Sequence, residues 1–86
     1  MYKVQIRNSA KTDLKKIKKS QLKDNFLEIV EQLKKDPFAP NQSFEKLKPP
    51  IAGKYSRRLN IQHRVVYTVD LDKKVVKIWS AWSHYE

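Results

Sequence analysis

The chain has 86 residues, with 19 lysines and arginines against 9 aspartates and glutamates, so its formal net charge is +10. This length suits a single domain over residues 1–86, and the 40% of apolar residues can form a small core. The chain has no cysteine and only two histidines, which argues against disulfide frameworks, thiol nucleophiles and the usual zinc sites. We therefore expect no metal and no other cofactor.

The sequence also lacks the signs of a membrane or exported protein. Its longest uncharged runs, residues 37–44 and 78–85, are far shorter than the ~20 residues of a spanning helix. The first residues contain no apolar signal region. We expect a cytoplasmic protein without membrane contact, and a net charge this positive most often serves a polyanion, usually nucleic acid.

In chain order, the first half predicts one strand and two helices. Residues 2–7 alternate apolar and polar side chains, as a strand with one buried face does. Asn8 and Ser9 are then predicted to cap a helix over residues 10–17, and Ser20 predicts a second cap or a break. Residues 22–33 carry an apolar stripe at helical spacing, which is the strongest helix signal in the chain.

The second half predicts strands. Residues 54–61, 63–70 and 75–83 are rich in β-branched and aromatic side chains, and residues 71–74 form a polar turn between the last two. Residues 45–48 are either a short pairing segment or a loop. The predicted fold is α+β, with an N-terminal strand, an α-helical hairpin and then an antiparallel sheet of three to four strands.

The positive charge is concentrated in one part of the sequence. Five basic residues and no acidic residue lie between positions 48 and 64, namely Lys48, Lys54, Arg57, Arg58 and Arg64. As a cluster, with Lys48, Arg57 and Arg58 among its members, they are candidate RNA or phosphate contacts, because the planar fork of an arginine can donate two parallel hydrogen bonds to one phosphate. Neighbours in a strand point to opposite faces, so only one of Arg57 and Arg58 can share a ligand with Arg64.

Few residues are suited to proton transfer. Cutting RNA without a metal needs a base for the 2′-hydroxyl, cations for the phosphorane and an acid for the leaving 5′-oxygen. On the residues alone, His63 is a turn or packing histidine. His84 stands in the aromatic stretch 79–86 and could simply accompany core tryptophans. Glu45 is the one acid between residues 36 and 70, and its ordinary role would be a surface pair with a lysine.

Four runs of sequence together resemble a known family: SFEKLK at 43–48, GKYSRRLN at 53–60, HRVVY at 63–67 and SHY at 83–85. Each run alone is a weak signal, but the ordered set is similar to the YoeB/Txe branch of the RelE toxin superfamily. These are ribosome-dependent mRNA interferases of bacterial toxin–antitoxin systems. The likeness covers nearly the whole chain, including the helical hairpin.

This resemblance implies a microbial-RNase-like α+β fold and an endoribonuclease that acts on mRNA in the ribosomal A site. It also implies a cognate YefM-type antitoxin, whose acidic segment would cover the same arginines. The site residues follow from the family by position: Glu45 as general base, His84 as general acid, Arg64 as the phosphate-stabilising cation, Tyr85 as a residue that shapes the site, and Lys48 and Arg58 as further cations.

A second reading from a different class stays open at this point. A non-catalytic basic domain that binds RNA or the ribosome would account for the net charge and the basic cluster. It would leave Glu45 unexplained, because a carboxylate beside a phosphate weakens binding unless it performs chemistry. The sequence also leaves the choice between a monomer and a homodimer open.

Overall fold

The protein is described by a computed structural model over residues 1–47 and 53–83. Within these residues, two helices and five strands follow one another in the predicted order. They are β1 (Lys3–Ile6), α1 (Asn8–Lys18), α2 (Lys23–Lys35), β2 (Glu45–Lys46), β3 (Tyr55–Arg58), β4 (Arg64–Asp70) and β5 (Val75–Ser83).

The five strands form one sheet in the order β1-β5-β4-β3-β2. Strands β2 to β5 pair antiparallel, so the predicted meander is confirmed, and residues 45–46 are a pairing segment rather than a loop. Strand β1 joins the other edge by pairing parallel to β5, from Lys3 opposite Val75 to Ile6 opposite Ile78. The sheet is therefore mixed, and the chain's first and last described strands are neighbours.

The helices cover one face of the sheet, which we call the inner face. The core between them consists of Ala10, Ile17, Phe26, Ile29 and Leu33 from the helices and Val65, Tyr67, Val76, Ile78 and Ala81 from the strands. Because successive strand residues alternate, Ser56, Arg58, Arg64 and Val66 lie on the opposite, outer face. The outer face is thus the side of the sheet on which polar residues of β3 and β4 accumulate.

The helix boundaries follow the predicted pattern with one correction. The break at Ser20 is confirmed, because its hydroxyl donates to the Ile17 carbonyl and accepts from the Leu22 N–H. The predicted Asn8–Ser9 cap is wrong: α1 begins at Asn8, and the cap position is Arg7, which makes no side-chain capping bond. The Ser9 hydroxyl instead donates to the carbonyl of Trp79 on β5, at 2.7 Å.

Candidate functional site: the outer face of β2, β3 and β4

The register of three strands brings the candidate residues of the outer face together. Glu45 pairs with Ser56 across β2 and β3, and Arg58 pairs with Arg64 across β3 and β4. Side chains of directly paired residues in an antiparallel sheet lie on the same face, with Cβ atoms about 5 Å apart. A carboxylate, a hydroxyl and two guanidinium groups therefore share one small surface.

Arg64 is the central side chain of this surface. Its Nε donates to the Ser56 hydroxyl at 2.9 Å, and its Nη2 donates to the Ser43 carbonyl. The same Nη2 lies 3.7 Å from Oε2 of Glu45, and the Arg64 side chain is only 14% exposed whereas that of Glu45 is 54% exposed. Glu45 is thus the more exposed member of the pair, and hydrogen bonds to Ser56 and Ser43 hold the Arg64 guanidinium in place.

Sequence patterns did not reveal the residues that orient Arg64. Ser56 is completely buried and contributes its hydroxyl, and Ser43 contributes a backbone carbonyl that no side-chain pattern could indicate. Gln42 and Ser43 both have positive φ angles, of 55° and 53°. Non-glycine residues adopt this conformation uncommonly and usually for a local reason, which here is the turn that leads into Glu45 and β2.

Arg57 occupies the inner face, and its assignment as an RNA contact is corrected by this burial. Its side chain is completely shielded from solvent. Its Nε donates to the Tyr67 hydroxyl at 3.0 Å, and its Nη2 donates to the carbonyls of Pro37 and Ala39 at 2.9 and 3.0 Å. Its Nη1 donates to the carbonyl and the side-chain oxygen of Asn41, at 3.0 and 2.8 Å. A guanidinium enclosed by protein oxygens in this way cannot reach a phosphate.

The Arg57 contacts hold the segment that precedes the site. Residues 37–42 run from the end of α2 toward β2, and the Arg57 guanidinium donates hydrogen bonds to oxygens of four of them. The Phe44 ring covers the guanidinium, with its centroid 5.0 Å from Cζ. Because residue 44 directly precedes Glu45, the buried arginine fixes the approach of the chain to the candidate base.

Tyr67 completes this buried cluster. Its hydroxyl donates to the Pro37 carbonyl at 2.6 Å while it accepts from Arg57. Burial raises the pKa of Tyr67 to about 12, and the nearby Arg57 charge opposes part of that rise. The phenol is therefore neutral at any physiological pH and acts as a structural hydrogen-bond donor.

Arg58, by contrast, is exposed at the rim of an open cleft. The cleft has a volume of about 390 Å³ and lies between α2 and residues 42–43 and 58–61, with Asn25, Glu28, Ser43 and Asn60 among its walls. It reaches from Arg58 to Ser43, whose carbonyl accepts a hydrogen bond from Arg64. The candidate site thus adjoins a space large enough for part of a ligand.

His63 lies in the short connection before β4, where its ring stacks on Trp82 with centroids 4.2 Å apart. The backbone N–H of His63 donates to the side-chain oxygen of Asn60, and its carbonyl accepts from the Leu59 N–H, which closes the turn before β4. These contacts give His63 a packing role and agree with leaving it out of the candidate catalytic set. The remaining candidates, Lys48, His84 and Tyr85, lie outside the described residues.

The described part of the chain offers neither a metal site nor a membrane span. Residues 1–47 and 53–83 contain no group of three or more His, Cys, Asp or Glu side chains placed to hold a metal ion. Over the same ranges, neither helix has the length and apolar character needed to cross a bilayer.

Comparison with known proteins gives the class of the molecule. Its fold is similar to a YoeB/ParE toxin from Agrobacterium tumefaciens, with 26% identity, a TM-score of 0.88, and coverage of 96% of this chain and 99% of that chain. It is also similar to the YoeB toxin in a heterotetrameric YoeB–YefM toxin–antitoxin complex from Staphylococcus aureus. There the identity is 30% and the TM-score 0.82, with 99% of both chains covered. The fold therefore defines a toxin-type domain of bacterial toxin–antitoxin systems.

The sequence comparison narrows this class. Residues 7–85 match the profile of the YoeB-like toxin of bacterial type II toxin–antitoxin systems. A Toxin YoeB from Synechocystis is 36% identical over 59 residues, a match that spans 67% of this chain and 65% of that relative. The chain belongs to the YoeB-like toxin family, as its sequence motifs predicted.

Proposed function

We propose that this toxin is a ribosome-dependent mRNA interferase, a metal-independent endoribonuclease that cuts messages in the ribosomal A site and so inhibits translation. The observation that carries the proposal is the pair formed by Glu45 and Arg64, 3.7 Å apart on the outer face, with Arg58 directly across from Arg64. A base beside two cations is the arrangement that attack of a 2′-hydroxyl on a phosphodiester requires.

The proposed reaction uses each of these groups once. The Glu45 carboxylate takes the proton of a ribose 2′-hydroxyl, and the 2′-oxygen forms a bond to the adjacent phosphorus. Arg64 and Arg58 stabilise the additional negative charge of the pentacovalent phosphorus. His84 gives a proton to the 5′-oxygen as its bond to phosphorus breaks, which leaves a 2′,3′-cyclic phosphate and a 5′-hydroxyl. Lys48 adds positive charge, and Tyr85 shapes the site.

The requirement for a ribosome follows from orientation. Glu45 is half exposed on an open strand face, so the described residues do not enclose the reacting nucleotide or fix its 2′-oxygen in line for attack. Alignment of the 2′-oxygen with the phosphodiester can change a rate by many powers of ten. We expect cleavage of naked RNA to be far slower than cleavage of ribosome-bound message.

The proposed inhibitor is a cognate YefM-type antitoxin. The S. aureus relative forms a heterotetrameric complex with YefM, and a YoeB dimer from the same organism is similar in fold to this chain, with a TM-score of 0.83. An acidic antitoxin segment would pair with the exposed Arg58 and cover the outer face. A homodimer is the second assembly that these relatives suggest.

The test is primer extension on a message translated in a purified bacterial system. We compare the wild type with Glu45→Gln and His84→Gln, and with Glu31→Gln as a control that removes the same charge from the exposed side of α2. Sedimentation with ribosomes measures binding of every variant. We expect discrete, ribosome-dependent cuts from the wild type and the control, and binding without cutting from the two site variants.

Two other outcomes would overturn the proposal. If all four proteins bind ribosomes and none cuts, the chain is a non-catalytic RNA- or ribosome-binding domain. In that case Glu45→Gln should also bind RNA more tightly, because it removes a negative charge beside the phosphate. If the wild type cuts naked and ribosome-bound RNA equally, the protein is a nuclease, but the proposal that it depends on the ribosome is wrong.

A further inference from the structure

A second group of residues crosses the outer face of the sheet beside the candidate site. It consists of Arg7 after β1, Trp79 on β5, Thr68 on β4 and Lys54 before β3, and we call it the Trp79 patch. The parallel register that pairs Ile6 with Ile78 brings Arg7 next to Trp79. The indole Nε1 donates to the Thr68 hydroxyl at 2.9 Å, which fixes the ring across the strands.

Both cations of the Trp79 patch lie over the same indole ring. Cζ of Arg7 is 4.8 Å and Nζ of Lys54 is 5.1 Å from the ring centroid. The two positive charges are therefore at most about 10 Å apart, so one polyanion can contact both. The ring attracts each cation through its π-face and leaves each charge intact.

The patch lacks its own counter-charge in the described part of the chain. Neither Arg7 nor Lys54 forms an ion pair with any carboxylate of residues 1–47 or 53–83, where the two ion pairs present are Lys34–Glu31 and Arg64–Glu45. Arg7 is exposed and Lys54 is half-buried. Two neighbouring cations without a carboxylate partner among these residues form a positive patch that attracts a polyanion.

The patch is continuous with the candidate site. Lys54 directly precedes β3, in phase with Ser56 and Arg58 on the outer face of that strand, and Thr68 and Arg64 lie on the outer face of β4. At about 3.3 Å per residue, the patch begins roughly 7 Å from Ser56 and lies roughly 13 Å from Arg64. An anion that reaches from Arg64 to the patch must carry several negative charges along an extended chain.

We propose that the Trp79 patch is a second RNA-binding site, which holds phosphates of the strand flanking the nucleotides at Glu45 and Arg64. This inference rests on the proposed function for the identity of its ligand. Because Arg7 and Lys54 occupy the indole, the patch recognises the phosphate backbone through its two cations and does not stack bases. The interaction is therefore independent of nucleotide sequence.

The test measures RNA affinity separately from cleavage. The probes are 2′-O-methyl RNA oligonucleotides of 3 and 12 nucleotides, which lack the attacking hydroxyl and so stay intact. The double variant Arg7→Gln/Lys54→Gln is compared with Lys15→Gln/Lys16→Gln, which removes the same charge from the exposed side of α1. Circular dichroism and thermal unfolding check that both variants keep the fold.

We expect the Arg7/Lys54 double variant to lose affinity for the 12-mer only. The slope of log affinity against log salt should fall by about 0.7 for each phosphate that the protein no longer neutralises, which is about 1.4 for two phosphates. Affinity for the 3-mer, whose two adjacent phosphates cannot occupy both Arg64 and the patch roughly 13 Å away, should match that of the wild type. The Lys15/Lys16 variant should keep the wild-type slope with both probes.

Specific results would overturn this inference. Equal loss of 12-mer affinity in the two double variants would mean that only net charge matters. Unchanged RNA binding combined with weaker binding of poly-L-glutamate by the Arg7/Lys54 variant would assign the patch to an acidic polypeptide. Failure of the proposed function gives a different pattern: the salt slopes change as expected, but the wild type never cuts ribosome-bound message.

Discussion

Arg57 and Arg58 are adjacent in β3 and carry the same side chain, yet they lie in opposite environments. Arg57 points to the inner face, where five oxygens of Tyr67 and residues 37–41 surround it. Arg58 points to the outer face, where it is exposed and pairs with Arg64. The comparison teaches that the pleat of the strand, rather than the residue type, decides whether an arginine supports the structure or meets a ligand.

The largest difference should appear when each arginine is replaced by methionine. Arg57→Met leaves buried carbonyls and the Tyr67 hydroxyl without a donor, and we expect the free energy of unfolding to fall by about 3–5 kcal/mol. Arg58→Met removes an exposed charge and should change stability by about 0.5 kcal/mol or less. Urea denaturation of both variants measures the contrast, and equal losses would contradict it.

A smaller but specific effect should follow from Arg64→Lys. Lysine keeps the positive charge but cannot donate to the Ser56 hydroxyl and the Ser43 carbonyl while also presenting a fork to a phosphate. We expect cleavage of ribosome-bound message to fall by about 10²–10³-fold, the usual effect of losing one preorganised donor. Lys46→Arg at the neighbouring strand provides a control, and it should cut at the wild-type rate.

The smallest effect concerns Tyr67 and appears at alkaline pH. Because its pKa in the folded protein is about 12, above the ordinary value of 10.0, the folded state favours the protonated phenol. Its contribution to stability is complete below pH 10 and is lost as the pH rises through about 12. Ultraviolet titration should show one tyrosine that ionises late, and Tyr67→Phe should remove that step and cost about 1–3 kcal/mol.

Local patterns in the sequence predicted most of the elements. The apolar stripe of residues 22–33 forms α2, whose Phe26, Ile29 and Leu33 are buried, and the β-branched and aromatic runs form β4 and β5. The parallel pairing of β1 with β5 was not predictable, because alternation shows which side of a strand is buried and does not name its partner. The Asn8–Ser9 cap failed for a similar reason, since the hydroxyl of Ser9 finds an acceptor on a strand distant in sequence.

The candidate site was predictable in part. The motifs that resemble the family indicate Glu45, Arg58 and Arg64, and the strand register brings these three together. Sequence alone groups Arg57 with the RNA contacts, because the oxygens that bury it come from a loop with no recognisable pattern. One signal separates it: Arg57 alternates in phase with Tyr55 and Leu59, which both pack against the core.

The parallel pairing of the first and last described strands has a consequence for the order of folding. Lys3 finds its partner at Val75, so β1 stays unpaired until almost all of the described chain has been synthesised. The core is likewise incomplete without Val76, Ile78 and Ala81, which belong to the same buried cluster as residues of α1 and α2. Such long-range contacts slow folding and delay it to the end of synthesis. The complete sheet and core of a nascent chain of this toxin therefore cannot form until β5 has left the ribosome that made it.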